Sequence, residues 1–190
     1  MTEGTIPAGL PHTQGPKPHK GDRKGPRAAY VLPIPAPPSK GVLQVDERMC
    51  GGCELCLYAC SLHKEGVAAP SIARIRMRTP VSGYFDKVAL PCLQCVDPQC
   101  LRYCPTGALH VDEKTGARVI NEARCTGCQN CIQHCPFDPP RIAYDSVKEV
   151  AVKCDLCGGD PACVKACPFG ALTYYTDPEG VRSGYGIAGV

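Results

Sequence analysis

The sequence predicts an α+β chain of two interleaved small lobes preceded by an extended, proline-rich N-terminal arm. Three observations lead there. All 16 cysteines of the 190 residues fall into four groups of four. The two middle groups flank alternating apolar residues, Ala108 to Val111 and Ala117 to Ile120, around Lys114, Thr115 and Gly116, the pattern of a β-hairpin. Residues 1–41 hold nine of the 20 prolines, a composition that forms polyproline II or coil rather than a core. The expected divisions are the arm (1–41), an outer lobe (42–91 and 140–176), an inner lobe inserted into it (92–139) and a C-terminal tail (177–190).

The 44% hydrophobic content includes the cysteines, so the true apolar core is thin for this length and something else must hold the chain together. Cysteines can do that as disulfides in an oxidising compartment or as metal ligands in a reducing one. The first residues lack an apolar secretion segment, and Arg23-Lys24 is not a twin-arginine signal. No apolar run approaches the roughly 20 residues of a membrane span. A cytoplasmic protein with metal-bound cysteines is expected, with no membrane span.

In chain order, the arm carries six Lys or Arg against two acids. It reads either as a free tail or as a strap along a partner subunit, and Tyr30 to Pro38, alternating apolar residues with proline, suits an extended peptide in a groove. Cys50, Cys53, Cys56 and Cys60 follow. Gly51 and Gly52 let the backbone fold tightly there, and Ser61 stands where the other three groups have proline. A short helix is expected over Leu55 to His63. Arg74, Arg76 and Arg78 alternate with Ile75 and Met77, placing three guanidinium groups on one strand face, either solvated or docked to an acidic partner. A second strand is expected over Tyr84 to Leu90. Cys92, Cys95, Cys100, Cys104 and then Cys125, Cys128, Cys131, Cys135 bracket the hairpin. Cys154, Cys157, Cys163 and Cys167 have a longer third spacer, turning at Gly158 to Pro161, and Phe169 to Tyr174 reads as a closing strand. Residues 176–190 hold no further motif.

The third group reads C-x2-C-x2-C-x3-C-P, the spacing of a bacterial ferredoxin, in which three close thiolates hold one 4Fe-4S cluster and the fourth reaches the other cluster. Applied here, that exchange pairs the inner groups, giving Cys92, Cys95, Cys100 with Cys135 and Cys125, Cys128, Cys131 with Cys104. The first and last groups pair as Cys50, Cys53, Cys56 with Cys167 and Cys154, Cys157, Cys163 with Cys60. Four 4Fe-4S clusters are expected. Four-thiolate zinc sites are the alternative, but they need neither the third cysteine nor the C-x3-C-P ending.

With each oxidised cluster and its thiolates at about −2, the formal charge of +3 becomes about −5, and the body without the arm about −9. A basic arm on an acidic body suits protein docking and excludes a nucleic-acid partner, which needs a basic face. His12, His19, His63, His110 and His134 are scattered and read as surface or packing residues. No phosphate-binding glycine loop is present, and no catalytic residue is expected. Phe137 and Phe169, each just after a Cys-Pro, read as core packing or as shields that keep water from a cluster.

From Cys50 to about Tyr174 the sequence resembles the four-cluster electron-transfer subunits of molybdenum and tungsten oxidoreductases of the dimethyl sulfoxide reductase and formate dehydrogenase type. CLQCVDPQCLRYCPTGAL (92–109) and CTGCQNCIQHCPF (125–137) carry the likeness. The short last group, KCDLCGGDPACVKACPFGAL (153–172), looks more like the small subunits of tungsten aldehyde oxidoreductases and carbon monoxide dehydrogenases. The resemblance implies a non-catalytic subunit relaying electrons between a tungsten or molybdenum pterin subunit, one oxidising aldehydes, and a flavin (NAD-linked) subunit or other acceptor. A hydrogenase, formate dehydrogenase or carbon monoxide dehydrogenase partner is the alternative. Copies could also stack through the arm into a conducting filament.

Overall fold

The computed structural model describes residues 36–78 and 87–186. The arm through Pro35 and the first three residues of the strand expected from Tyr84 lie outside the described residues. Four α-helices and four two-stranded antiparallel sheets frame the described chain. The helices are α1 (Leu55–Glu65), α2 (Gln99–Arg102), α3 (Asn130–Gln133) and α4 (Ala162–Lys165). Each contains the third cysteine of its group. Their lengths follow from the residue after the fourth cysteine. Cys104, Cys135 and Cys167 precede a proline, which disfavours helical backbone before it, and α2, α3 and α4 stop after one turn. At the first group Ser61 lets the helix run on past Cys60 to Glu65. Fully buried, Ser61 donates through Oγ to the Tyr58 carbonyl at 3.2 Å and accepts the Ala69 N–H at 3.0 Å, which fixes the returning chain against the helix.

The sheets are β1 (Ser39–Val45) with β8 (Leu172–Val181), β2 (Arg76–Arg78) with β3 (Val88–Leu90), β4 (Leu109–Val111) with β5 (Arg118–Ile120), and β6 (Ile142–Asp145) with β7 (Val150–Lys153). β1 and β8 join the two ends of the described chain, with Leu43 opposite Tyr174 and Val45 opposite Leu172. Helix α1 packs on α4, and α2 on α3. One apolar cluster accordingly gathers Leu43, Leu57, Ile75, Leu156 and Leu172 around Cys56, Cys60, Cys154 and Cys163. A second gathers Leu101, Ala108, Leu109 and Ile142 around Cys104 and Cys131. In both, cysteine sulfur forms part of the core.

The β4–β5 hairpin forms at the expected place. Its turn is held by Asp112, whose Oδ2 accepts from the Thr115 N–H at 2.7 Å and its hydroxyl at 2.6 Å. Gly116 sits at φ 68 in the left-handed region, and a Cβ there would meet the Pro38 carbonyl at 2.6 Å, so only glycine lets the turn lie against the start of β1. The Lys40 N–H donates to the Thr115 carbonyl at 2.8 Å. β1 thus crosses the division expected at residue 41.

Two other expectations are corrected. Arg74 does not share a face with Arg76 and Arg78: it precedes β2 and turns inward to pair with Glu65 at 3.1 Å, Asp155 at 3.2 Å and Glu122 at 3.3 Å. The closing strand begins at Leu172 rather than Phe169 and runs on to Val181. The segment after it, the expected C-terminal tail, gave no sign in the sequence of the bonds it makes to the loop of the second cysteine group. Ser183 Oγ donates to the Leu93 carbonyl at 2.6 Å, while the carbonyls of Ser183 and Tyr185 accept the N–H groups of Val96 at 3.0 Å and Asp97 at 2.9 Å.

The two Thr115 bonds hold the Asp112 carboxyl below its ordinary range. Its contribution is therefore complete above about pH 4 and is lost only as pH falls through the depressed value. Asp112→Ala at neutral pH is expected to loosen the hairpin by about 1–2 kcal/mol. Amide exchange at Thr115, Gly116 and Ala117 reads this as roughly tenfold faster opening for each 1.4 kcal/mol.

Candidate metal centres

Short loops and single helical turns present the first three cysteines of each group. In the first, Gly52 at φ 63 and Glu54 at φ 64 wrap the backbone around the sulfurs before α1 begins. Gln129 does the same before α3 at φ 59, and Gly127 at φ 64 packs so closely on the β6–β7 turn that a Cβ would collide with the Glu149 carbonyl. Fourth cysteines are placed differently. Cys104, Cys135 and Cys167 lie beyond their one-turn helices and Cys60 lies in the second turn of α1, and each meets a backbone N–H from the chain that follows. Leu109 donates to Cys104 Sγ at 3.4 Å, Arg141 to Cys135 Sγ at 3.3 Å and Arg74 to Cys60 Sγ at 3.3 Å, and the Leu172 backbone bonds Cys167.

Two small cavities show which sulfurs face one another. One is lined by Cys50, Cys53, Cys56 and Cys167, the other by Cys125, Cys128, Cys131 and Cys104. Each contains three cysteines of one group and the fourth of another. Electrostatic neighbours agree elsewhere. Cys163 lies against Cys60 and Cys157, Cys100 against Cys92 and Cys95, and Arg141 beside both Cys135 and Cys92. Phe169 lines the first cavity and covers Gly51, where a Cβ would meet its ring at 2.6 Å. Phe137 lies under the Arg141 guanidinium at 5.5 Å. Among the described histidines, His134 stacks on Tyr103 with ring centroids 3.7 Å apart, a packing role.

Among the described residues, no three or more His, Cys, Asp or Glu side chains gather as a single ion requires. Tetrahedral zinc needs sulfurs about 3.8 Å apart. Sulfurs ringing a cavity instead fit a compact multi-atom cluster. Burial and sulfur neighbours push Cys56, Cys131 and Cys163 up to about 12, and burial does the same to Cys100. Ionised, such sulfurs need positive charge beside them. At Cys104 and Cys167 burial also raises the thiol, but backbone donors outweigh it and the net shift is downward. The donor set fits a 4Fe-4S group, with Cys ligands and N–H bonds to sulfur.

Comparison with known proteins agrees with this geometry. Residues 84–177 match the 4Fe-4S dicluster domain family. The polyferredoxin-like subunit of an aliphatic sulfonate oxidoreductase from Pyrococcus furiosus is 48% identical over 120 residues, 62% of this chain and 66% of that protein. A subunit of the anaerobic dimethyl sulfoxide reductase of Haemophilus influenzae is 34% identical over 161 residues, covering 74% of this chain and 76% of its own length. The chain belongs to the family of iron-sulfur electron-transfer subunits of oxidoreductases. A structure of the BamBC active-site complex of benzoyl coenzyme A reductase with zinc contains a chain similar at 21% identity and TM-score 0.44, covering 72% of this chain and 78% of that one.

For an electron-transfer subunit the surroundings of the sulfurs matter as much as the sulfurs. Only Cys53 and Cys128 are exposed. Cys92 and Cys154 are buried, with Cys92 the largest influence on Cys154 after burial itself. Around Cys92 lie residues that the cysteine pattern did not single out. Gln94, 1% exposed, accepts the Arg118 N–H at 2.9 Å and donates to the Cys154 carbonyl at 3.1 Å. Burial lowers the Lys153 ammonium, but Cys92, Cys100 and Cys154 outweigh it and the net shift is upward. Burial also lowers Arg118, against Cys100, Cys92 and Cys95.

The segment after β8 shields this same set. A Cβ on Gly184 would lie 2.7 Å from Cys95 Sγ, and the backbone of Tyr185 bonds Cys95. Gly184→Val, or truncation after Arg182, is expected to expose Cys95. Air bleaching of the visible iron-sulfur absorption should then show a fast phase that the wild-type chain lacks. Bleaching at the wild-type rate would mean that the segment shields nothing.

Proposed function

We propose that the chain holds four 4Fe-4S clusters on the exchanged ligand sets Cys50, Cys53, Cys56, Cys167; Cys92, Cys95, Cys100, Cys135; Cys125, Cys128, Cys131, Cys104; and Cys154, Cys157, Cys163, Cys60. The two cavities, each mixing three cysteines with the fourth of a different group, carry this reading. The packing of α1 on α4 and of α2 on α3 supports two interleaved ferredoxin-like lobes. Bound clusters supply reversible single-electron uptake, which no side chain of this protein provides.

The chain's own part is spacing and insulation. The neighbouring Cys92 and Cys154 join the two lobes, while exposed Cys53 and Cys128 mark the two ends of the run of sulfur contacts. These relations support a linear order: the set with Cys128, the set with Cys92, the set with Cys154, the set with Cys53. One end serves a tungsten or molybdenum pterin subunit, an aldehyde-oxidising one on the likeness of the short last group, and the other a flavin subunit or another acceptor. The basic arm would clasp an acidic body of another subunit or another copy of this chain.

The ligand exchange has a direct test in anaerobically purified protein carrying about sixteen iron atoms per chain. Replacing Cys53 and Cys167 together by Ala is expected to alter the reduced-state paramagnetic resonance of one cluster. Replacing Cys53 and Cys60 together should alter two. The reverse pattern would place all four cysteines of a group on one cluster. For the arm, deleting residues 1–35 leaves β1 intact and is expected to lower the particle mass by more than the deleted peptide; a loss equal to the peptide alone would count against assembly through it.

A further inference from the structure

Resting on that ligand assignment, we propose that the set Cys92, Cys95, Cys100 and Cys135 is the electron sink of the chain, made so by three cations, Lys153, Arg118 and Arg141. Lys153 is 3% exposed and Arg118 1%. Lys153 Nζ donates to the Arg118 carbonyl at 2.7 Å and the Cys154 carbonyl at 3.3 Å, and lies 3.4 Å from Gln94 Oε1. Arg118 Nη1 donates to the Gly116 carbonyl at 2.6 Å. Its Nε and Nη2 are buried donors without a protein partner, as is Arg141 Nε. Arg141 lies over Phe137 with its own N–H on Cys135.

Among the described residues no carboxylate forms an ion pair with any of these three, and only Arg141 has one close enough to act on its charge, Asp138. An interior cation without a counter-ion is strongly destabilising. For the buried Lys153 and Arg118 the counter-charge has to come from the sulfurs beside them: Cys100, Cys92 and Cys95 of this set for Arg118, and Cys92 and Cys100 together with Cys154 of the next set for Lys153; the part-buried Arg141 faces Cys135 and Cys92. Arg74 shows the contrast. It stands beside Cys60, but Glu65, Asp155 and Glu122 already neutralise it.

The sign of the effect follows from charge. A 4Fe-4S group with four thiolates carries about −2 when oxidised and about −3 when one electron is added. Fixed positive charge in a poorly screening interior favours the more negative form. An electron on the chain therefore settles at this set, one step in from the Cys128 end, under the Ser183 to Gly186 segment and away from solvent. Such a store lets the subunit hold one reducing equivalent between turnovers of its partners.

The test is a redox titration of the intact, cluster-loaded protein with dithionite, followed by paramagnetic resonance. Lys153→Met and Arg118→Gln are each expected to lower the reduction equilibrium of the Cys92 set at least tenfold, about 59 mV for a one-electron couple; Arg118→Gln should leave the other three clusters unchanged, whereas Lys153→Met, which also removes charge beside Cys154, should shift the Cys154 set by less. Lys153→Arg and Arg118→Lys should retain the wild-type value. If the charge-removing variants lose one cluster while the charge-keeping ones load fully, the cations are shown to be what balances it. Unchanged potentials in both charge-removing variants would overturn the proposal, as would loss of the cluster in the charge-keeping variants too. A wild-type chain lacking four clusters would instead defeat the ligand assignment itself.

Discussion

A thiolate withdrawn from water is stable only beside positive charge, and this chain leaves just two of its 16 cysteines exposed. Crowding makes the constraint sharper, because each sulfur raises its neighbours' cost of ionisation. A 4Fe-4S group held by the sulfurs would supply that positive charge, and backbone N–H groups supplement it from outside. The fold can be understood as a way of meeting these two needs four times over. Loops and helical turns bring three sulfurs round, and the chain beyond each helix returns an amide to the fourth.

That arrangement explains why so little regular structure suffices. Three of the four α-helices are a single turn, cut short by the Cys-Pro pairs, and every sheet among the described residues has two strands. The apolar clusters include cysteine sulfur among their members, so the same packing sets both the core and the placing of the sulfurs. Between the two apolar clusters, polar groups take over. Gln94 and Lys153 stitch β5 to the last cysteine group, while Arg74 and its three carboxylates tie α1 to Asp155 and Glu122. Buried polar links of this kind fix geometry between centres more firmly than apolar contact, which tolerates sliding.

The cysteine groups, the hairpin around Gly116 and the first helix were legible because each has a local signature: fixed spacing, a glycine turn, a helix without a proline after its last cysteine. β1 was not, since Ser39 to Val45 follows proline-rich sequence and finds its partner some 130 residues later in β8, a pairing that no local pattern encodes. The β6–β7 hairpin lacks a glycine turn and so gives no local signal. Arg74 misled because alternation with Ile75 and Met77 suggested a strand face, whereas carboxylates from three separate segments draw it inward. Lys153 and Arg118 look like ordinary strand residues. Their importance depends on burial beside Cys92, and the closing segment at Gly184 matters only through its contact with Cys95; distance in the fold, not sequence, reveals both.

The central claim is that sulfurs from different groups share each cluster, and that the clusters run in line through the chain. Iron-edge anomalous diffraction from crystals grown without oxygen addresses it most directly. Four compact iron peaks are expected in one row, each bonded to three cysteines of one group and the fourth cysteine of its paired group, with the Cys92 and Cys154 sets adjacent in the middle. Iron enclosed by the four sulfurs of a single group, or peaks grouped in any other order, would contradict it.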